Sequence, residues 1–345
     1  MIHPPLPEED LAAISLATSK LWKSSGSFSL FLTGATGFIG TWLLESLDYV
    51  SKAYGISVEV TALSRNPNAF LKRMPHLAES SWIQWIEGDL NDVVLPTRQI
   101  DYIIHAASET QQRSNESVAL NTISGMYHSI EKVIQVAKNC GTKSILFTSS
   151  GAVYGYRTEE NRSISEEQSC LHTSTDLKSS YGIGKLISEH MLTAFGNDYG
   201  CNIAIARCFA FVGPHLPLKQ NFAIGNFICD ALAKRPITIQ SDGKAVRSYL
   251  YAADLTIWLW TMLFKCQGVN VVNVGSPDSI TICELAKLIS EMYEISFINA
   301  SNPPSSVSSF YYPCTDLARD QFGLRPSTEL REGIQKTFQW YQNTI

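Results

Sequence analysis

The chain of 345 residues is long enough to bury a large core, as one elaborate domain or as two coupled ones. A formal net charge of −5 gives no reason to expect nucleic acid as a partner. The eight cysteines include no C-x-x-C pair and the seven histidines show no ligand spacing, so neither a disulfide framework nor a metal site is expected. Cys208, Cys229 and Cys266 stand within apolar patterns, which is typical of buried thiols in a reducing cytosol.

The first ten residues, MIHPPLPEED, lack the basic start and apolar centre of a signal peptide. The most apolar later run, residues 257–264, is far too short to span a bilayer. We therefore expect a cytoplasmic protein without a membrane partner.

An amphipathic pattern over residues 8–22 predicts a helix before the first strand. We expect residues 1–25 to form a helical appendage that packs on the main domain, with a hinge at 24–27. The apolar residues expected mostly on one side of this helix are Leu11, Ile14, Leu16, Leu21 and Trp22.

The stretch 30–40, LFLTGATGFIG, predicts a buried strand, a tight glycine turn and the first turn of a helix. Gly34 permits the turn, Gly37 lets the backbone approach a pyrophosphate, and Gly40 allows the helix to pack closely on the strand. The helix N-terminus would then direct free N–H groups at phosphates. A nucleotide site is favoured over a plain strand–turn–helix. Its predicted contacts at the turn are Gly34, Thr36, Gly37, Phe38, Ile39 and Gly40.

Beyond this turn, strands and helices alternate along the chain. This rhythm predicts an α/β fold with a doubly wound parallel Rossmann sheet, in which ligands bind beyond the carboxyl ends of the strands. The predicted strands are 56–63, 82–86, 102–107, 144–148 and 202–206, and the two long helices are 118–140 and 180–199.

After Cys208 the regular alternation loosens. We expect residues 26–206 to form the dinucleotide-binding domain, with a return of the chain near 248–275. Residues 207–247 and 276–345 would form a smaller α/β substrate-binding lobe that covers the ligand, with helices at 222–232 and 282–293.

The end of the second strand bears on which dinucleotide binds. An acidic residue there usually takes the ribose 2′-hydroxyl, whereas an arginine suits a 2′-phosphate. The sequence here is Ser64-Arg65-Asn66, so NADP(H) is preferred over NAD(H), which stays possible. The alternative for Arg65 is a solvated surface side chain. Asp89 is expected either to meet the adenine ring or to cap a helix.

A candidate catalytic set follows the fifth strand. Tyr181 and Lys185 are four residues apart and therefore share one face of a helix. A nearby cation favours the phenolate, so such a phenol can transfer a proton at neutral pH. The strand running into Thr148-Ser149-Ser150 could place a hydroxyl, that of Ser150, beside this phenol.

The chain resembles the extended short-chain dehydrogenase/reductase superfamily, in its nucleotide-sugar epimerase/dehydratase branch. The resemblance covers residue 31 to the C-terminus, with motifs in the expected order. They are TGATGFIG (33–40), GDL (88–90), HAA (105–107), Asn121, SSGAVYG (149–155), Tyr181 with Lys185, VGP (212–214), RSYLYAAD (247–254) and Trp340-Tyr341.

The resemblance implies roles for particular residues. Lys185 would also bind the nicotinamide ribose, and Arg247 would contact the diphosphate of a nucleoside diphosphate sugar, with a structural salt bridge as the alternative for Arg247. Further cofactor contacts would be Ser64, Asn66, Leu90, Ala106, Ala107, Ser108, Asn121 and Cys208. The substrate contacts would be Thr110, Ser150, Gly151, Asn221, Phe222 and Arg247.

Departures from the family pattern narrow the chemistry. Sugar 4,6-dehydratases carry Thr-Asp-Glu where this chain has Ser150-Gly151-Ala152, and the family's decarboxylases also have a glutamate in place of Ala152. Gly151 and Ala152 cannot move protons, so neither dehydration nor decarboxylation is expected. Ala210 stands where many relatives have a substrate-contacting asparagine, and aromatic bulk at Phe209 and Phe211 would suit a deoxy sugar.

Two reactions then fit. The first is reduction of a nucleoside diphosphate-4-keto-6-deoxyhexose, such as dTDP-4-keto-6-deoxyglucose, by NADPH, with Tyr181 as general acid, for surface polysaccharide synthesis. The second is C4 epimerisation with tightly held NAD, and those relatives usually carry an aspartate in place of Ser64. Arg65 favours the reductase. A non-catalytic dinucleotide sensor is a third possibility.

The resemblance also implies a homodimer formed by the two long helices, whose apolar residues Val118, Met126, Ile130 and Met191 would equally suit core packing.

Overall fold

A computed structural model describes residues 2–107, 118–156, 163–220, 222–299 and 309–344. Seven strands form a central sheet in the order β11-β6-β5-β4-β1-β2-β3. The other described strands form small two- and three-stranded sheets. The strands are β1 Phe28–Thr33, β2 Val58–Ser64, β3 Ile83–Glu87, β4 Tyr102–His105, β5 Ser144–Ser150, β6 Asn202–Cys208, β7 Phe211–Val212, β8 Ile237–Ile239, β9 Val246–Ser248, β10 Leu250–Tyr251, β11 Val269–Val274, β12 Ser279–Thr281, β13 Phe297–Asn299 and β14 Phe310–Tyr311.

The helices pack against the strands and against one another. They are α1 Glu8–Ala17, α2 Ser19–Ser25, α3 Phe38–Tyr54, α4 Pro67–Arg73, α5 Pro75–Ala78, α6 Ala119–Cys140, α7 Ser180–Tyr199, α8 Ala223–Leu232, α9 Ala252–Lys265, α10 Ile282–Tyr293, α11 Asp316–Phe322 and α12 Leu330–Gln342. Short 3₁₀ helices include Gly151–Tyr154 and Leu177–Ser179. Within the described ranges, no helix is both long and apolar enough to cross a membrane.

Every neighbouring pair in the central sheet is parallel. Side chains on successive residues of β1 point to opposite faces, so Leu30 joins the core beneath α3 and α9, whereas Phe31 joins the core beneath α6 and α7. The predicted doubly wound parallel sheet is confirmed. Ile130 of α6 is fully buried in the second core, so it is not available for a surface contact.

Two of the central strands are longer than predicted. β5 runs to Ser150 and β6 to Cys208, two residues beyond their predicted ends, and the two strands pair to the last residue, Ser150 with Cys208. β4 is shorter than predicted and ends at His105. The sheet therefore holds Ser150 on a regular, fully paired backbone.

The N-terminal appendage differs from its prediction. Two helices replace the single helix, with the break at Thr18, whose hydroxyl donates to the Ile14 carbonyl and accepts from the Trp22 indole. A side chain that bonds to the backbone in this way competes with helical geometry. Leu16 is 77% exposed, so its predicted place on the buried side is wrong. α1 packs against α3 and α9.

A buried carboxylate fixes this appendage to the rest of the chain. Asp10 of α1 is 2% exposed, accepts a hydrogen bond from the Tyr251 hydroxyl, and lies 2.8 Å from the Lys336 ammonium of α12. Burial raises the pKa of Asp10, and the bonds from Lys336 and Tyr251 oppose that rise. The bond from Lys336 joins α1 to α12, and the bond from Tyr251 joins α1 to β10.

We predict that Asp10→Ala lowers the free energy of unfolding by about 2 kcal/mol, because Tyr251 and Lys336 lose a buried partner. Glu9→Ala is the matched control, since Glu9 contacts the same ammonium at 3.4 Å with a largely exposed side chain, and should cost less than about 1 kcal/mol. Urea unfolding measures both. Equal losses for the two variants would contradict this role of Asp10.

Candidate active site

A cleft of about 2180 Å³ lies beyond the carboxyl ends of the central strands. This is the place where parallel α/β sheets bind ligands. Eighteen of the residues predicted for the site line this cleft: Gly34, Thr36, Gly37, Phe38, Ile39, Gly40, Ser64, Arg65, Asp89, Leu90, Ala106, Ala107, Ser150, Tyr181, Lys185, Cys208, Phe222 and Arg247.

Other predicted site residues lie elsewhere. Asn66 does not line the cleft, and its side chain caps α4 by accepting from the Ala69 amide. Asn121 is exposed on α6, and the next residue, Thr122, lines the cleft instead. Gly151 is buried just behind the lining. The predicted residues Ser108, Thr110 and Asn221 fall outside the described residues.

The glycine turn has the geometry of a phosphate cradle. Gly34 has φ +71°, and a Cβ there would lie 2.5 Å from the backbone of Ala106 and Ala107. A Cβ on Gly40 would lie 2.3 Å from the Gly34 carbonyl, so Gly40 packs the helix on the turn rather than on the strand. Gly37 precedes α3 without a side-chain cap, so the first amides of α3 remain available to an anion.

The ribose end of the cleft lies at the end of β2. The Ser64 hydroxyl lies 3.2 Å from that of Thr36 and accepts from the Asn66 amide. Arg65 is exposed at the edge of the cleft, and no carboxylate pairs with it among the described residues. Asp89 does not cap a helix, because its oxygen accepts from the backbone and side chain of Asn91 in a turn.

The catalytic candidates meet where α7 crosses the end of β5. The Lys185 ammonium is 2% exposed, donates to the Thr148 carbonyl at 2.8 Å, and lies 5.9 Å from the centre of the Tyr181 ring. The Ser150 hydroxyl accepts from the Ala152 amide at 3.1 Å. The helix and the strand together direct a phenol, an ammonium and a hydroxyl into one cleft.

A buried ion pair behind this set was not predicted. Glu189 lies one turn beyond Lys185 on α7 and accepts a 2.5 Å hydrogen bond from Ser149 and a bidentate bond from Arg207 of β6. Burial opposes the charge of Arg207, but Glu189 raises its pKa above the ordinary value. The spacing of residues 181, 185 and 189 was the signal in the sequence that could have revealed Glu189.

Arg247 has no carboxylate partner in the described parts of the chain, so the salt bridge considered for it is not found there. Its guanidinium donates to the carbonyls of Val246 and Ser309 and lines the cleft, and burial lowers its pKa. Tyr311, which sequence reasoning missed, also lines the cleft and lies 5.9 Å beneath the guanidinium. Its position 64 residues beyond Arg247 gives no sequence signal.

His105 is a buried imidazole at the end of β4. Its Nδ1 lies 2.7 Å from the Thr33 hydroxyl, and its ring stacks on Phe147. Burial, with a smaller effect of the Lys185 charge, lowers the pKa of His105 to about 3. The imidazole is therefore neutral in the folded protein at physiological pH.

This shift makes a prediction for stability. Below the ordinary histidine pKa of 6.5, the unfolded chain binds a proton at this residue and the folded chain does not. The free energy of unfolding is therefore unaffected by protonation of this residue above pH 6.5, and it falls as the pH drops from 6.5 toward 3 because the unfolded chain gains the proton. We expect the free energy of unfolding of His105→Asn to fall less steeply over this window than that of the parent, by up to about 1.4 kcal/mol per pH unit.

The control is His128→Asn, because His128 is exposed on α6. Urea unfolding at pH 7.5, 6.5 and 5.5 gives the slopes. A parent slope retained in His105→Asn and lost in His128→Asn would contradict the assignment.

Comparison with known proteins identifies relatives that are similar in sequence over most of the chain. The chain is 26% identical to UDP-glucuronic acid decarboxylase 6 of Arabidopsis thaliana over 346 residues, covering 96% of this chain and 91% of that protein. It is likewise 26% identical to UDP-glucuronic acid decarboxylase 1 of the same plant, covering 92% of this chain and 70% of that protein.

Solved structures share the fold. The UDP-N-acetylglucosamine 4-epimerase of Methanobrevibacter ruminantium superposes with a TM-score of 0.78 at 22% identity, covering 93% of this chain and all of that one. The UDP-glucuronic acid 4-epimerase of Bacillus cereus, in complex with UDP-glucuronic acid and NAD, superposes with a TM-score of 0.77 at 20% identity, covering 92% of this chain and all of that one.

The NAD dependent epimerase/dehydratase family matches residues 30–275, which include the glycine turn, the catalytic candidates and all seven strands of the central sheet except the first residues of β1. The resemblance found in the sequence is confirmed. No group of histidine, cysteine or acidic side chains among the described residues could hold a metal ion. The chain belongs to the NAD-dependent epimerase/dehydratase family.

Proposed function

We propose that this protein oxidises and reduces C4 of a nucleoside diphosphate sugar, and that its net reaction is C4 epimerisation. The observation that carries the proposal is the set of Ser150, Tyr181 and Lys185 in one cleft, with no side chain at residue 151 or 152 that could move a proton. Structures of similar fold include 4-epimerases for UDP sugars.

The residues present fit a nicotinamide dinucleotide. The open amides of α3 and the close approach of Gly34 to the end of β4 suit a pyrophosphate, and Lys185 suits the nicotinamide ribose. When bound, the nicotinamide supplies the chemistry of hydride acceptance and return at C4 of the sugar. Everything else in the reaction is done by side chains of this chain.

Tyr181 takes the proton of the C4 hydroxyl as that carbon is oxidised and returns it on reduction. Tyr181 accepts this proton as a phenolate and is a neutral phenol while the keto sugar exists, and Lys185 stabilises the phenolate because its ammonium is buried close to the ring. Ser150 donates a hydrogen bond to the sugar oxygen, which bears increasing negative charge during reduction. Reduction on the opposite face of C4 from the one that lost hydride inverts that centre.

The decarboxylases and dehydratases of the family need a further acid or base. Gly151 and Ala152 supply none, and the only acidic side chains among the described cleft residues are Asp89 and Asp230. Asp230 is paired with Arg235 at 2.9 Å, and Asp89 belongs to the turn after β3. This distribution favours a reaction confined to C4.

One observation favours a second candidate. Arg65, without an acidic residue at the end of β2, suits the 2′-phosphate of NADP(H). An exchangeable NADPH would make the net reaction the reduction of a 4-keto sugar such as dTDP-4-keto-6-deoxyglucose, with Tyr181 as general acid.

The assembly is proposed on family likeness. Residues 207–247 and 276–345 would form the substrate lobe over the dinucleotide domain, and α6 and α7 would pair two copies into a cytoplasmic homodimer. Val118, Met126 and Met191 are partly exposed on or beside these helices.

We predict that the purified protein, without added cofactor, interconverts a UDP sugar and its C4 epimer, and that Tyr181→Phe lowers kcat by at least about 100-fold. Product analysis by NMR with UDP-glucose, UDP-N-acetylglucosamine and UDP-glucuronic acid measures this, alongside the cofactor released on denaturation. Tyr199→Phe is the control, since Tyr199 is exposed at the far end of the same helix.

Consumption of NADPH with a 4-keto nucleotide sugar and no epimerisation would select the reductase instead. Release of carbon dioxide from UDP-glucuronic acid would overturn both candidates.

Cofactor choice gives a separate prediction. We expect Arg65→Ala to weaken NADP(H) binding by about 10-fold while leaving NAD(H) binding nearly unchanged, because only NADP(H) carries the phosphate that the guanidinium can bind. Fluorescence titration measures both dissociation constants. Arg98→Ala is the control, since Arg98 pairs with Glu59 and does not line the cleft. Equal weakening of the two dinucleotides by Arg65→Ala would contradict a phosphate contact.

A further inference from the structure

Tyr311 reaches the catalytic set from a distant part of the chain. Its strand, β14, pairs in parallel with β9, and the pairing sets Tyr311 opposite Arg247. The Arg247 guanidinium donates to the Ser309 carbonyl just before this pair. The β9–β14 pair therefore positions both Arg247, the proposed diphosphate contact, and Tyr311, which lies 161 positions after Ser150 in the sequence.

The phenol occupies space that the glycine at 151 leaves open. A Cβ on Gly151 would lie 2.9 Å from the Tyr311 hydroxyl and 2.9 Å from the Phe209 ring. The Phe209 and Tyr311 rings pack 4.8 Å apart. Any side chain at residue 151 would therefore force Phe209 or Tyr311 to shift, so the glycine and the inserted phenol belong to the same arrangement.

The Tyr311 hydroxyl is close enough to Ser150 to affect which hydrogen bonds the serine makes. The Tyr311 oxygen lies 3.5 Å from the Ser150 hydroxyl and 3.4 Å from the Cys208 carbonyl, to which it donates. Ser150 already accepts from the Ala152 amide. When Tyr311 donates to Ser150 instead, the serine oxygen has two donors pointing at it, and its own proton must point elsewhere.

The phenol is also held in its donor form. Burial raises the pKa of Tyr311 above its ordinary value. Tyr311 therefore keeps its proton at neutral pH. Rotation of its hydroxyl decides whether it donates to the Cys208 carbonyl or to Ser150.

We propose that Tyr311 is a positioning residue, which donates to Ser150 and so directs the serine proton at the sugar O4 when substrate is bound. The inference rests on the proposed function in that Ser150 serves the C4 oxygen. Tyr311 itself exchanges no proton with the sugar, and Tyr181 remains the acid and base. The long Ser150–Tyr311 separation would shorten in the substrate complex, as catalytic hydrogen bonds do.

The test is Tyr311→Phe, which keeps the ring packed on Phe209 and removes the hydroxyl. We expect kcat to fall about 10-fold with KM within about twofold, since one hydrogen bond made in the transition state is lost. Tyr312→Phe is the matched control, because Tyr312 is the next residue and does not line the cleft. Thermal unfolding of both variants checks that the fold is retained.

A double-mutant cycle separates positioning from packing. Because Tyr311 acts through Ser150, Tyr311→Phe should have little further effect on kcat in a Ser150→Ala background. The proposal would be overturned if the fold-decrease in kcat of the double variant equalled the product of the two single-variant decreases. It would also be overturned if Tyr311→Phe had the same kcat as the parent.

A crystal structure of the parent protein with a bound UDP sugar tests the positioning role without any turnover. We expect the Tyr311–Ser150 oxygen separation to shorten from 3.5 Å, with the Ser150 oxygen within hydrogen-bond distance of the sugar O4. A Tyr311 hydroxyl that stays on the Cys208 carbonyl in that complex would overturn the positioning role. Absence of turnover by the parent protein would instead count against the proposed function alone.

Discussion

The attachment of α7 to the end of β5 is the constraint on which the rest of the site depends. Lys185 donates to the Thr148 carbonyl, and one turn later Glu189 accepts from Ser149 while it pairs with Arg207 on β6. Both charges of this pair are buried, so removal of either partner would leave an uncompensated charge that costs about 3–5 kcal/mol. The helix therefore cannot slide on the sheet, and the phenol of Tyr181 stays in register with the hydroxyl of Ser150.

A second constraint comes from the opposite side of the cleft. The β9–β14 ladder carries Arg247 and Tyr311 toward the residues that β5 and α7 present. The sheet and α7 thus position the proposed catalytic residues, and a two-residue strand pair positions the residues proposed to contact the substrate.

The same geometry explains why small residues follow Ser150. Gly151 leaves room for the aromatic rings of Phe209 and Tyr311 beside Ser150. Burial among these groups raises the pKa of Tyr311, which therefore stays protonated.

The sequence by itself determined the elements whose signals are local. The glycine turn, the alternation of strands and helices, and the Tyr181–Lys185 spacing depend on backbone sterics and on the 3.6-residue period, which act between residues close in the chain. They correctly predicted the parallel sheet, and eighteen of the predicted site residues line the cleft beyond its strands.

Only the tertiary structure decided the contacts between distant segments. Glu189 pairs with Arg207 and Tyr311 approaches Ser150 across 18 and 161 residues, separations that carry no periodic signal. The helix break at Thr18 is local, and it follows from competition between side-chain and backbone hydrogen bonds. Asn66 and Asn121 were predicted as cofactor contacts from the family motifs, but neither lines the cleft. A motif identifies a position in the sequence and not the direction of its side chain. Local propensity fixes what each segment is, and packing fixes which atoms of those segments meet.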